Sequence, residues 1–171
     1  MIEASRKCLS FSKFHLIAVW IVTSPSCPIC KKQGLPVDRA TVICHAKESV
    51  WPIGEVPYYI CENSSCKVVY YSTKGYLTKA EVKTRVTFKE NDPPRPLCYC
   101  KQVTEEDVIG AIGKGANTVE QVIEATGIGG GGLCKFTNPY GRCCSRHYLP
   151  FIKRALESRK GQKSVQSEPS V

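Results

Sequence analysis

Leu97-Cys98-Tyr99-Cys100 opens the stretch that decides how this chain folds, and Asn138-Pro139-Tyr140-Gly141-Arg142-Cys143-Cys144 closes it. Gly129-Gly130-Gly131-Gly132-Leu133-Cys134 lies between them. A segment that gathers thiols so far apart reads as the wall of a metal or iron–sulfur site. Thr104-Glu105-Glu106-Asp107 caps a helix carrying Val108, Ile109, Ala111 and Ile112, which Gly113 and Gly115 end. Thr118 with Gln121 forms a capping box for a second helix through Val119, Val122, Ile123 and Ala125. Two such helices resemble a helix-turn-helix, but Glu120, Gln121 and Glu124 on the exposed face are wrong for DNA. The glycine run lacks the lysine of a phosphate-binding loop and follows no strand. It suits a backbone passing close to a cluster and aiming N–H groups at its sulfurs. Arg142 to Ser158 reads as a helix with Pro150 inside it, and residues 159–171 as a disordered polar tail.

Upstream, residues 26–90 read as a small metal-pinned, β-rich domain. Cys27-Pro28-Ile29-Cys30 continues into Lys31-Lys32-Gln33-Gly34, a turn of the zinc-knuckle kind. A short helix is expected from about Asp38 to Glu48, with Cys44 a buried thiol and His45 a surface side chain. Val56 to Ile60 and Lys67 to Ser72 are strands, and Cys61-Glu62-Asn63-Ser64-Ser65-Cys66 is the hairpin tip between them. Four thiolates on two turns match a closed tetrahedral zinc site, with a single iron as the competitor. Val82, Thr84, Val86 and Phe88 alternate with Lys83, Arg85, Thr87 and Lys89, which predicts a half-exposed strand with a basic outer row. Residues 91–97 are polar and proline-rich and mark a linker; 98–158 form the helical second domain. The fold class is therefore α+β.

The chain has 171 residues, 42% of them hydrophobic, enough for one moderate domain or two small ones. Eleven cysteines in close pairs, an odd count, speak for metal ligation rather than a disulfide framework. The net charge of +9 favours acidic partners. The apolar run Phe14 to Val22 is too short to span a bilayer, and no cleavage site follows cleanly. Residues 1–25 read as an N-terminal extension, with Cys8 a free thiol. A reducing, cytoplasmic setting suits thiolate sites, and no membrane insertion is expected.

Cys98, Cys100, Cys134 and one of Cys143 and Cys144 make the second thiolate set, for a [2Fe–2S] centre or a second zinc. Cys98-x-Cys100, a gap of 33 residues, Cys134, then Asn138 to Cys144 resembles the [2Fe–2S] domain of the bacterioferritin-associated ferredoxin type. It is similar in particular to the N-terminal half of CopZ-type copper chaperones, where a zinc site precedes the cluster. The resemblance covers about Ser26 to Phe151. It implies that Cys27, Cys30, Cys61 and Cys66 bind Zn2+ and that Cys98, Cys100, Cys134 and one of the last pair bind the cluster. Cys144 is the choice: on a helix it shares a face with Tyr148, Phe151 and Ala155, whereas Cys143 aligns with His147 and Arg154. His147 reads as a surface histidine.

The chain departs from that family in showing no Met-x-Cys-x-x-Cys copper loop, and its single methionine is Met1. What the resemblance implies is a redox protein of copper handling that passes single electrons and reduces Cu(II) to Cu(I). Copper ions are the cargo, Cu+ is held transiently, and a copper chaperone or copper-transporting ATPase is the partner. No catalytic acid, base or nucleophile is arranged for turnover, so any activity is metal reduction at most. The alternatives are a general [2Fe–2S] electron carrier docking on another metalloprotein, and a zinc-only nucleic-acid-binding module using Tyr70, Tyr71, Lys83 and Arg85.

Overall fold

The structure, a computed structural model, describes residues 25–165. The expectations for the apolar run Phe14 to Val22 and for Cys8 lie outside the described residues. The first part is a four-stranded antiparallel sheet in the order β1 (Leu35–Val37), β2 (Tyr58–Ile60), β3 (Val68–Ser72), β4 (Gly75–Thr78). The expected hairpin is β2–β3, pairing Tyr59 with Tyr71 and Ile60 with Tyr70. The outer strands β1 and β4 escape a periodicity reading because they are short and irregular. Helix α1 (Arg39–His45) starts where Asp38 accepts the Ala40 N–H at 2.9 Å, and it lays Val42 into the core.

β3 is buried on both faces, which explains its unbroken apolar run. Val69 and Tyr70 join Val42, Ile60 and Val86 in the main core, while Val68 and Tyr71 close over the cysteines of the knuckles. Tyr70 and Tyr71, which a nucleic-acid reading would need at the surface, are therefore interior.

The expected strand over 82–88 does not form. Only a single bridge, Ala46 to Val82, pairs there, and short 3-10 turns at Lys79–Glu81 and Thr87–Lys89 bracket the segment. The alternation was real but marks burial without a ladder: Val82 and Val86 face the core and Lys83 and Arg85 face solvent. Lys89 is the exception, being only 5% exposed, and it leaves the basic row.

The second part begins before the expected boundary. β5 (Pro96–Cys98) pairs with β6 (Val103–Thr104), and Leu97 is buried, so the last residues of the supposed linker are structured. Thr104 caps α2 (Glu105–Gly113), its hydroxyl accepting from Asp107 N–H while Asp107 returns a bond to Thr104 N–H. Thr118 caps α3 (Val119–Thr126), but Gln121 reaches Asn117 N–H instead of closing the box on Thr118. After the glycine run come α4 (Cys134–Thr137) and α5 (Ser145–Val165). The helix thus starts three residues later than expected and continues as helix to Val165 through much of the supposed tail. Val108, Val122, Ile128 and Ile152 form the core of this part with Cys98 and Cys144 among them.

His45 also differs from expectation. It is buried, with Nδ1 at 2.7 Å from Thr84 Oγ1, while Cys44 is the half-exposed neighbour. At the end of α1 the ring turns inward beneath Val82–Thr84. Burial pulls the His45 pKa down to about 4; the Asn138 backbone opposes this and Lys83 adds to it. Its folded value lies below the unfolded one, so its contribution is complete above about pH 6.5 and is lost as pH falls toward 4. About 3 kcal/mol should disappear across that window. Urea unfolding at stepped pH should show this slope in the protein and a flatter one in His45→Gln.

Candidate metal centres

The first centre is built from two turns that face each other. Cys27 and Cys30 lie on the turn before β1, where Lys31 takes the left-handed conformation (φ 60°) and Cys27 N–H donates to Lys32 O at 2.8 Å. Cys61 and Cys66 lie at the tip of the β2–β3 hairpin, closed by Cys66 N–H to Asn63 O at 3.0 Å. The four sulfurs lie within 4.8 Å of one another, with Cys27–Cys66 at 3.9 Å and Cys30–Cys61 at 3.6 Å. A tetrahedral zinc with bonds of about 2.3 Å asks for sulfur–sulfur edges of about 3.8 Å, so the set fits one such ion.

Backbone N–H groups two residues on point back at the thiols: Lys32 to Cys30, Asn63 to Cys61 and Val68 to Cys66. Lys89 Nζ donates to Asn63 O at 2.6 Å and Cys66 O at 2.9 Å, placing a cation beside what would be a dianionic site. Its cost is desolvation, which lowers the Lys89 pKa against the pull of the four nearby thiols. Sequence reasoning missed this residue because alternation pointed it outward.

Burial pushes the Cys61 thiol up to about 12, and burial likewise raises Cys66. At Cys30 burial also acts upward, but hydrogen bonds from Lys32 N–H and from Asn63, with Cys61 and Cys27 alongside, outweigh it and bring that thiol down to about 6. Cys27, Cys61 and Cys66 are almost wholly buried, so this is a closed site.

The second centre is arranged differently. Cys98 and Cys100 have sulfurs 3.7 Å apart at the end of β5. Cys134 opens α4 and sits beside Cys100. Cys144 precedes α5, its carbonyl accepting from His147 and Tyr148 N–H, and its thiol lies beside Cys98. Burial is the chief cause raising Cys144, and it takes Cys100 to about 11, with the neighbouring thiols adding to both. Among the described residues only the first set has three or more ligand atoms within 4.8 Å. A two-iron cluster takes four thiolates two to each iron, so the set must be looser than one for a single ion; Cys98 and Cys100 form one close pair, and Cys134 and Cys144 would supply the other.

Gly131 supports that fit, because a Cβ there would overlap the Cys100 sulfur. Gly129 adopts φ 93° against the Tyr148 hydroxyl, which a side chain would displace. Cys144 is 2% exposed and Cys143 faces solvent, although both precede α5 rather than lying on the helix expected to separate them. Cys143 nonetheless lies close to Cys134, and Ser145 draws its thiol below the usual range. His147 is half-buried rather than superficial, its ring 4.6 Å from Tyr140.

The segment between Cys134 and Cys144 rests on the first domain. Tyr140 belongs to that domain's core, and its ring meets Phe88 at 5.5 Å. Tyr70 Oη donates to Pro139 O at 2.7 Å, Thr41 Oγ1 to Lys135 O at 2.9 Å and Arg142 to Pro36 O at 2.9 Å. Lys135 pairs with Asp38 at 2.7 Å, and Gly141 passes so close to Thr41 that a Cβ would collide.

Comparison with known proteins agrees with this two-centre layout. A family described as a zinc binding domain (zf_CopZ) matches residues 24–83, and one described as a BFD-like [2Fe-2S] binding domain matches 96–136. The solved N-terminal domain of CopZ from Archaeoglobus fulgidus superposes with a TM-score of 0.67 at 41% identity, covering 73% of this chain and 95% of that one. The chain belongs to the family of that CopZ N-terminal domain. The copper chaperone CopZ of Archaeoglobus fulgidus is 42% identical over 121 residues, which are 71% of this chain. The match spans 58% of that relative's length. This chain accordingly carries a zinc-binding domain followed by a BFD-like [2Fe–2S]-binding domain, in the α+β class expected. No helix among the described residues is long and apolar enough to cross a membrane.

Zinc ligation requires thiolates, so filling the first set displaces the protons that Cys61 and Cys66 keep near neutral pH. Titrating the metal-free protein with zinc in two buffers of different ionisation enthalpy should show net proton release and weaker binding as pH falls. Gly131→Ala should lower iron retention at least tenfold without altering zinc content, read by metal analysis.

Proposed function

We propose that this chain is a redox protein of copper handling. Cys27, Cys30, Cys61 and Cys66 hold a structural zinc, and Cys98, Cys100, Cys134 and Cys144 hold a [2Fe–2S] centre. The domain division falls near residue 95, with the zinc unit starting at about Ser26. The observation that carries the reading is the contrast between the two thiol sets. The first has three of its four thiols almost wholly buried, with only Cys30 half-exposed, as suits an inert structural site, whereas the second keeps both Cys100 and Cys134 half-exposed at a rim.

When bound, the cluster supplies a one-electron couple. Cys98 and Cys144 anchor it from the core side, and the glycine run lets the backbone approach without side chains in the way. Cys100 and Cys134 stand where an electron can leave toward solvent. A reduced cluster held by these four thiolates would give one electron to Cu(II) at this rim, leaving Cu(I) and the oxidised cluster, which a separate one-electron donor must reduce again before the next copper ion. Cu(I) prefers soft thiolates, so after a transient stay at this rim it passes to those of a separate copper chaperone or copper-transporting ATPase. The relative named a copper chaperone favours copper as the cargo over a general electron carrier.

Anaerobically prepared protein should contain about two irons and one zinc per chain, with visible absorbance. Cys144→Ser should lose most of the iron, and Cys143→Ser should keep it. Mixing the dithionite-reduced protein with Cu(II) under argon should restore the oxidised spectrum as an equal amount of Cu(I) appears in a Cu(I)-specific chelator. A spectrum that stays reduced removes copper reduction and leaves the general electron carrier.

A further inference from the structure

A cavity of about 260 Å³ opens at the seam between the two domains, and Cys144 forms part of its wall. Its charge is unusual for a space beside an anionic centre. Arg95, Arg146 and Arg154 line it against one carboxylate, Glu105. Arg95 pairs with Glu105 at 3.0 Å, which cancels both. Arg146 has only a long contact to Glu62 at 3.8 Å, and Arg154 lies within electrostatic reach of Glu105 without forming an ion pair among the described residues. His147 Nε2 is enclosed there with no hydrogen-bond partner. A buried polar nitrogen left unpaired costs about 1–3 kcal/mol, so a missing acceptor is the economical explanation. Tyr140 and Phe151 supply flat apolar walls, and Arg146 lies over the Tyr140 ring at 5.8 Å.

We propose that this cavity binds a small organic carboxylate with a flat apolar body. The carboxylate faces Arg146 and Arg154 with His147 Nε2–H donating to it, and the apolar body lies against Tyr140 and Phe151. Such an anion stands next to Cys144 and opposes the addition of an electron there. By linkage the oxidised protein then binds the ligand more tightly than the reduced one, and the ligand lowers the midpoint potential. The redox half of this inference rests on Cys144 being a cluster ligand; the binding half does not.

The test uses benzoate as the probe and the full zinc- and iron-loaded chain. Calorimetry on the oxidised protein should give saturable one-to-one binding with a dissociation constant on the order of 1 mM. Arg154→Gln should weaken it at least tenfold, and Lys153→Gln, one position away on α5, should leave it unchanged. Far-ultraviolet circular dichroism and zinc content check that both variants fold. The midpoint potential should move negative with benzoate, by up to 59 mV per tenfold increase above the dissociation constant. Absence of saturable binding overturns the proposal, as does equal affinity in Arg154→Gln. Inorganic phosphate competing as well as benzoate overturns the ligand class. Binding with an unmoved potential overturns the coupling. If the chain holds no iron, the calorimetric result still decides the cavity, separately from the copper reading.

Discussion

The insertion of Tyr140 into the core of the zinc domain is the contact on which the arrangement of the second centre depends. Cys134 and Cys144 stand on either side of it, and the backbone joining them has little regular structure of its own beyond the single turn of α4. A loop of that kind would sample many conformations. Its neighbours prevent this: the Tyr140 ring is buried against Phe88, and Pro139 O, Lys135 O and Arg142 are each tied to the first domain. The buried Tyr70–Pro139 hydrogen bond contributes on the order of 1 kcal/mol, the more exposed ties less, and the ring burial about 2 kcal/mol more. The placement of two thiols of the second set is thus supplied largely by the first domain.

That domain is small and its strands are short, so its own stability is in question without a staple. β1 and β2 have three residues each, and two knuckles bring four thiols together at the edge of the sheet. Metal binding at such a site is folding free energy. Lys89 ties the turn Thr87–Lys89 to the same knuckle through Asn63 O and Cys66 O, and Phe88 of that turn touches Tyr140. A continuous path of packed groups therefore runs from the thiols of the first set through Lys89 and Phe88 to Tyr140 and the loop between Cys134 and Cys144.

The grouping of Cys27, Cys30, Cys61 and Cys66 and the caps at Thr104 and Thr118 were legible in the sequence because they depend on local spacing. The family followed from the order of those spacings. What could not be read was decided by contacts distant in the chain. Val82 to Phe88 alternates like a strand, yet no neighbouring strand offers it a ladder, and the turn at Thr87–Lys89 brings Lys89 inward. His45 looked like a surface residue until residues 82–84 covered it. Arg159 onward looked like a tail because its polar sequence carries no apolar stripe, although helix continues to Val165. Asn138 to Gly141 reads as a turn, which it is, but nothing local announces that its tyrosine anchors one domain to the other.

The central claim is that zinc in the first domain holds the second centre in shape. It is tested most directly by Cys61→Ser, which removes one thiol of the first set and leaves Cys98, Cys100, Cys134 and Cys144 in place. Iron content and visible circular dichroism should be measured on that variant after anaerobic reconstitution. The account predicts that zinc loss is accompanied by a changed cluster spectrum and a several-fold loss of retained iron. An unaltered spectrum with full iron in the zinc-free protein would contradict it.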